Sequence, residues 1–316
     1  MSDLTQGSKP VLVVGGINAD VLGRTLAAPV PHTSNPARSS VTPGGVARNV
    51  AETLARLGVP AVRLLGAVGD DLLGAGVLEA TARAGVDVSG VLRLPGQTGT
   101  YLAVLDDAGE LQIGLAAMEL TDTLTPGLAA DWAAEVAAAR LLVLDANLPA
   151  DTVRLLLDAA QAAGVRAILD PVSAPKAGRL HGLLDRVFLL TPDRAELEAL
   201  SAVAGSEAEQ AAALHAQGAE HVLLTLGAAG SVLYSPGQPP RSTPAPAASV
   251  QNVTGAGDAL VAGLCAALVR GLSLPEAVRL GHACAALTVQ SDQTVSADLS
   301  WEAVTSLLVP STPETL

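Results

Sequence analysis

Residues 252–271 read NVTGAGDALVAGLCAALVRG. Two glycines bracket an alanine, a lone carboxylate follows at Asp258, and the chain then enters a segment that is apolar almost all round. Amides at the start of a helix have no intrahelical acceptor, and the helix dipole adds positive potential there. With a helix beginning near Asp258, the amides of Gly255, Ala256 and Gly257 point outward together and form an anion hole. Such a hole suits the charge spread over a phosphoryl group in transfer, and a carboxylate beside it can accept the proton of an attacking hydroxyl. Asp258 is that carboxylate. Aspartate is also a good helix N-cap, so the same letters could serve only to start a buried helix. Two other phosphate loops are absent: there is no GxxxxGKS/T, and Leu260 stands where GxGxxG needs its last glycine.

The elements that must position these residues follow an alternating pattern. VLVVGGIN at 11–18 is a short continuous apolar run closed by glycines, the pattern of a strand buried on both faces. VARNVAETLARLG from residue 46 has helical spacing and ends at Gly58, and AVRLLGAVG then reads as the next strand. The alternation returns in ARLLVLDAN, DTVRLLLDAAQAAG, VRAILDPV, HGLLDRVFLLTPD, RAELEALSAVAG and HVLLTLGAAGSVLYS. The expected fold is α/β: a doubly wound, mainly parallel sheet with helices on both faces, in one domain over residues 1–316. Two segments break the alternation, at about 21–43 and 97–118, the second a hairpin turning at DDAG. Together they read as a small β lid over an active site, or as an edge decoration. The stretch SPGQPPRSTPAPAAS at 235–249 interrupts the core without dividing it.

Composition excludes several functions. Hydrophobic residues make up 49% of the chain and aromatic residues 2%, so the core is built from Ala, Leu and Val. A formal charge of −13 argues against a nucleic-acid partner, although local amides or a metal ion can still hold a small anion. Cys265 and Cys284 lie in Ala-rich segments without ligand spacing and read as buried thiols, which fits a reducing cytoplasm. MSDLTQGSKP has neither a basic segment nor a long apolar one, so no targeting signal and no membrane partner is expected. The five histidines form no metal-binding pair, and no Ser/His/Asp spacing supports hydrolysis. Lys176 is the one lysine in the interior of a chain that otherwise uses arginine.

Five segments in order carry a family resemblance: GGINAD, TPGGVARNVAETLARLG, TPDRAELEAL, LLTLGAAGSVLY and NVTGAGDALVAG. They resemble the signatures of the ribokinase-like (pfkB-type) carbohydrate kinases over nearly the whole chain. Within that family, TSNPARSSVTPGGVARN, DANL, DPVSAPK and VSADLS are most similar to pseudouridine kinases. The resemblance implies ATP and Mg²⁺ as cosubstrate and cofactor, and a nucleoside or sugar hydroxyl as acceptor. It places Asn18, Asp20, Gly44, Gly45 and Asn49 at the sugar, where a carboxylate can accept from two vicinal hydroxyls. Val46 stands where ribokinases carry a lysine, which points away from free ribose. Asn147 falls at a sugar-contacting position, and Lys176 is read as contacting substrate or phosphate, with a solvated loop lysine as the alternative. Few aromatic residues exist to stack on a base, so Ser34, Asn35, Thr98 and Thr100 in the lid are expected to read it by hydrogen bonds.

On the nucleotide side the resemblance assigns Thr225 and Gly227 to the ATP cradle and Glu196 to hydrated magnesium, with Asp193 in place of the family's asparagine. Acidic residues also favour a first helical turn, so that pair has a second reading. Asn252 occupies a position that is aspartate in relatives with a monovalent-cation site, which leaves potassium open. The expected reaction is transfer of phosphate from ATP to a ribose 5′-hydroxyl, pseudouridine being the favoured acceptor. A broader sugar or nucleoside kinase and a non-catalytic sensor of the same fold are the alternatives, and a homodimer through the lid is a further expectation.

Overall fold

The run Val11–Val14 is fully buried and pairs in parallel with Val62–Leu65 on one side and Leu141–Asp145 on the other. This computed structural model describes residues 9–308, so the amino-terminal segment read as lacking a targeting signal lies, up to residue 8, outside the described residues. The main sheet has eight strands in the spatial order Arg241–Thr243, Ser231–Tyr234, His221–Thr225, Leu189–Leu190, Ala167–Asp170, Leu141–Asp145, Val11–Val14 and Val62–Leu65. Ser231–Tyr234 pairs antiparallel with both His221–Thr225 and Arg241–Thr243, and the remaining pairs are parallel, giving the mainly parallel α/β sheet that the alternation predicts. The chain leaves Val11–Val14 toward one neighbour and returns on its other side, so a crevice opens at the carboxyl ends of these strands. Gly15, Gly16, Asp145 and Asp170 all stand there.

Helices cover both faces. Val46–Arg56, Ala256–Leu268 and Leu274–Thr288 bury one aliphatic core, and Ala150–Ala163, Arg194–Ser201 and Glu207–Ala216 bury the other. Trp132, Phe188 and Tyr234 are the buried aromatics, so packing rests on branched aliphatic side chains. Cys265 and Cys284 are free, buried thiols, and His282 is a core histidine bonded to Ser231 Oγ at 2.7 Å. Among the described residues no helix is long and apolar enough to cross a membrane.

Two readings of local structure change. AVRLLGAVG is not one strand: Val62–Leu65 joins the main sheet, while Ala67–Gly69 pairs with Leu92–Leu94 in a two-stranded ribbon. The break falls at Gly66, where a side chain would meet Gly15 O at 2.7 Å. The proline-rich stretch, read as an interruption, supplies the edge strand Arg241–Thr243. Prolines flank that strand, and an edge tolerates them because one side of it needs no donors.

The excursions form a four-stranded sheet in the order Ala37–Gly44, Asn18–Thr25, Gly99–Leu105, Leu111–Ala117. Directly opposed residues share a face. Asp20 opposes Thr42 and Tyr101, and Tyr101 opposes Ala116, so these four side chains line one face. Thr100 opposes Ala19 and Ala117 on the reverse face. That reverse face also carries Val21, Val41, Leu102 and Leu115 in one row, and Val41, Ile113 and Leu115 are each more than half exposed.

The turn into the first helix depends on Gly45. Its φ is +101°, and an added Cβ would lie 2.3 Å from Gly16 O. Gly45→Ala is expected to cost about 1–3 kcal/mol. A lower urea midpoint at unchanged m-value is the measurement; an unshifted midpoint would refute the argument.

Candidate active site

Helix Val46–Arg56 begins at Gly45 without a side-chain cap of its own. Its cap comes from another strand: Asp145 Oδ2 accepts from Ala47 N at 3.0 Å and from Gly16 N at 2.9 Å, while Oδ1 accepts from Asn147 N at 2.9 Å. Asp145 is 2% exposed. Burial raises its pKa, and the amide donors with nearby Lys176 oppose that rise. One carboxylate thus draws together the end of the first strand, the diglycine turn and its own strand end.

The predicted sugar residues gather around this clasp. Asn18 Nδ2 donates to Asp20 Oδ1 at 2.7 Å, and Gly44 lies so close that a side chain there would meet Asp20 Oδ2 at 2.4 Å. Asn49 Nδ2 donates to Asp258 Oδ2 at 2.8 Å, joining the diglycine helix to the GAGD helix across 209 residues. Asn147 packs against Gly16 and accepts from Lys176 Nζ through Oδ1. Arg179 donates to the Asn147 carbonyl at 3.1 Å, so basic side chains sit over this loop. Lys176 is half-buried, and burial lowers its pKa.

Asp258 opens the first turn of helix Ala256–Leu268 and keeps partial solvent access. Dense protein around it pushes its pKa up to about 7; the Asn49 bond opposes this, while Asp145 and Asp20 reinforce it. Gly255, at φ +80°, fits only without a side chain, because a Cβ would meet Thr294 O at 2.3 Å. The set of free amides differs from expectation at one member. Ala256 N turns back to Val253 O at 3.3 Å, whereas the Gly255, Gly257 and Asp258 amides have no protein partner among the described residues. A tight turn before the helix consumes the middle donor, and the Asp258 amide takes its place in the set.

On the nucleotide side, Asp193 and Glu196 form a reciprocal capping box: Asp193 N donates to Glu196 Oε2 and Glu196 N to Asp193 Oδ1, both at 2.8 Å. The helix-start reading therefore accounts for one oxygen of each. The other oxygen of each is a hard donor of the kind that suits a magnesium ion keeping most of its waters. Among the described residues no group of three His, Cys, Asp or Glu side chains is placed to hold a metal ion by itself. Thr225 donates weakly to Pro192 O at 3.3 Å, and Gly227 is exposed with φ +57°. Asn252 is engaged within its own loop. Its Oδ1 accepts from Thr254 N at 2.9 Å, and its Nδ2 donates to Asp292 O at 3.3 Å.

Three lid assignments are corrected. Thr98 is buried, and its hydroxyl donates to Asp71 Oδ1 at 2.6 Å while accepting from Gly69 N at 3.0 Å, so its one proton is committed within the protein and the group is shut off from a base. Thr100 stands on the face opposite Asp20 and bonds Thr98 O at 3.0 Å. Asn35 closes its own loop, donating to Val30 O and Thr33 O and accepting from Val30 N. Ser34 is exposed.

Sequence reasoning missed Asp145, Asp170 and the alignment of Tyr101 with Asp20. Asp170 accepts from Val172 N at 2.8 Å, and burial beside Asp258, Glu196 and Asp145 raises its pKa well above the usual range. Val172 is held at φ +67°, a strained conformation for a β-branched residue, directly before the turn that carries Lys176. The available signal was a single aspartate ending each of two apolar runs, LLVLD and AILD.

The family model of pfkB family carbohydrate kinases matches residues 8–301. Pseudouridine kinase of Escherichia coli K12 is 36% identical over 305 residues, covering 94% of this chain and 96% of that protein. A carbohydrate kinase from Agrobacterium tumefaciens has a similar solved structure, with TM-score 0.84 and 34% identity over 95% of this chain and 97% of that one. Arabidopsis thaliana ribokinase, solved with ribose and ATP, superposes with TM-score 0.85 at 28% identity, over 96% and 99% of the respective chains.

Carbon-detected NMR titration of the aspartate carboxyls should place Asp258 near pH 7. Asn49→Ala removes a donor to the charged form, so the midpoint should move upward; a downward or absent shift would show that this bond does not act on Asp258.

Proposed function

The chain belongs to the pfkB family of carbohydrate kinases, and from that premise we propose that it transfers the γ-phosphoryl group of ATP to the ribose 5′-hydroxyl of a nucleoside, pseudouridine in particular. The observation that carries this is Asp258, a carboxylate with pKa about 7, beside free helix-start amides and bonded to Asn49 of the sugar side. Asp258 Oδ2 is taken by Asn49, and Oδ1 has no protein partner among the described residues. A 5′-hydroxyl at Oδ1 gives up its proton there as its oxygen bonds to the γ-phosphorus and the bond to the ADP oxygen breaks. The Gly255, Gly257 and Asp258 amides face the charge that develops on the phosphoryl oxygens. Glu196 and Asp193 would hold a hydrated magnesium ion, which would supply further positive charge to the phosphates. Asn18, Asp20 and Gly44 receive the ribose diol, and Lys176 with Asn147 borders the acceptor; Thr225 and Gly227 are assigned to ATP.

The acceptor class follows from the lid. Tyr101 shares a face with Asp20 and is 37% exposed, which offers an aromatic plane to a base whose ribose lies at Asp20. Val46 in place of a lysine and the pseudouridine kinase relative support the same substrate. The apolar reverse face of the lid, with Val41, Ile113 and Leu115 exposed, supports pairing with a second copy of the chain.

Asp258→Ala should lower kcat with pseudouridine by about 10²–10⁴-fold and leave acceptor affinity within a few-fold. In the wild type kcat/KM should fall tenfold per unit below about pH 7, because the base must be ionised to act. ADP release across pseudouridine, uridine, adenosine, ribose and fructose tests the acceptor; binding without turnover of any of them would favour a sensor.

Tyr101→Ala separates base recognition from sugar recognition. Loss of stacking worth about 1–3 kcal/mol should raise KM for pseudouridine at least about fivefold while leaving ribose unchanged. Equal effects on both acceptors would remove Tyr101 from base recognition.

A further inference from the structure

Arg48 is 5% exposed, between the diglycine turn and the catalytic carboxylate. Its Nη1 donates to Asn49 Oδ1 and to Pro43 O, each at 3.0 Å, its Nε reaches Thr81 Oγ1 at 3.3 Å, and it pairs with buried Glu52. Glu52 is also held by Arg56 at 2.6 Å, so that carboxylate keeps a partner without Arg48. These contacts come from different elements. Pro43 belongs to the lid strand Ala37–Gly44, Thr81 to helix Leu72–Arg83, and Asn49 to the helix that meets Asp258.

A guanidinium only donates, so the Asn49 atom facing Arg48 must be the amide oxygen. That fixes the other end: Asn49 Nδ2 faces Asp258 Oδ2, and Oδ1 of the carboxylate is left toward the acceptor. With the amide reversed, its oxygen would oppose the carboxylate and push it away. The bond from the same Nη1 to Pro43 O ties that orientation to the root of the lid, one residue before Gly44.

We infer that Arg48 is a positioning residue for phosphoryl transfer, holding the Asn49 amide so that Asp258 is aimed at the acceptor and registering the lid strand to it. The inference rests on the reading of Asp258 as the base. Lysine cannot replace Arg48, because a point charge lacks the planar fork that spans Pro43, Asn49, Thr81 and Glu52. Charge also reaches Asp258 directly. The charged groups facing it are Asp20, Asp145, Asp170 and Arg48, and Arg48 alone among them favours its ionised form.

The test compares Arg48→Lys, Arg48→Met and Asp258→Asn in steady-state kinetics over pH 5.5–9, with circular dichroism melting as the check on folding. Expected for both Arg48 variants is a kcat loss of about 10- to 100-fold with KM for ATP unchanged, the scale of a misplaced reacting group. The Met variant should also move the acidic limb of kcat/KM to higher pH, and the Lys variant should restore the limb without restoring kcat. Arg48→Met added to Asn49→Ala should cost little more than Asn49→Ala alone, because one route is already broken. Wild-type kcat in the Lys variant, or multiplicative losses in the double variant, would overturn the inference. An active Asp258→Asn enzyme would instead overturn the reading of the base, which distinguishes the two failures.

Discussion

The Asp145 carboxylate lies where the first strand, the diglycine turn and its own strand end converge, and it accepts amide protons from all three. A buried carboxylate without donors is strongly unfavourable, so those backbone segments cannot drift apart without leaving charge unmatched. The residues proposed for the ribose hang on the same segments: Asn18 and Asp20 follow Gly16, Asn49 follows Ala47, and Asn147 is itself a donor. The clasp also substitutes for a local helix cap, since the first helix has none of its own. One carboxylate thereby holds in register the segments that carry the proposed sugar residues.

Around that clasp the site concentrates acid. Asp20, Asp145, Asp170, Glu196 and Asp258 all have raised pKa values, chiefly through burial. Arg48 and Lys176 are the cations among them, and burial weakens both. A site of this sign repels nucleotide phosphates unless helix-start amides, hydrated magnesium or protonated carboxyls offset it. Such offsets explain how a chain with formal charge −13 can be suited to an anionic substrate.

Much of the fold was readable because period and punctuation are local. The buried run at Val11–Val14, the helix that starts at the diglycine, and the hairpin turning near Asp106 to Gly109 all follow from residues within a few positions of one another. What escaped depends on distance or on parity. Asp145 acts on partners 129 and 98 residues away, and a single aspartate after LLVL carries no trace of them. Thr100 and Tyr101 are neighbours in sequence, yet one opposes Ala19 on the reverse face and the other shares a face with Asp20, which only strand register decides. Ala256 differs from its flanking glycines because a turn uses its amide, a detail of hydrogen bonding that composition does not encode.

The strand Val11–Val14 has one sheet neighbour at 62–65 and the other at 141–145. During synthesis at about 5–20 residues per second, the second neighbour emerges on the order of ten seconds after the first strand. Until then Gly16 and Ala47 have no carboxylate to meet, and the apolar edge of the first strand stays open to other chains. A ribosome pause before residue 145 would therefore prolong the period in which this edge of the nascent chain is unpaired and open to aggregation.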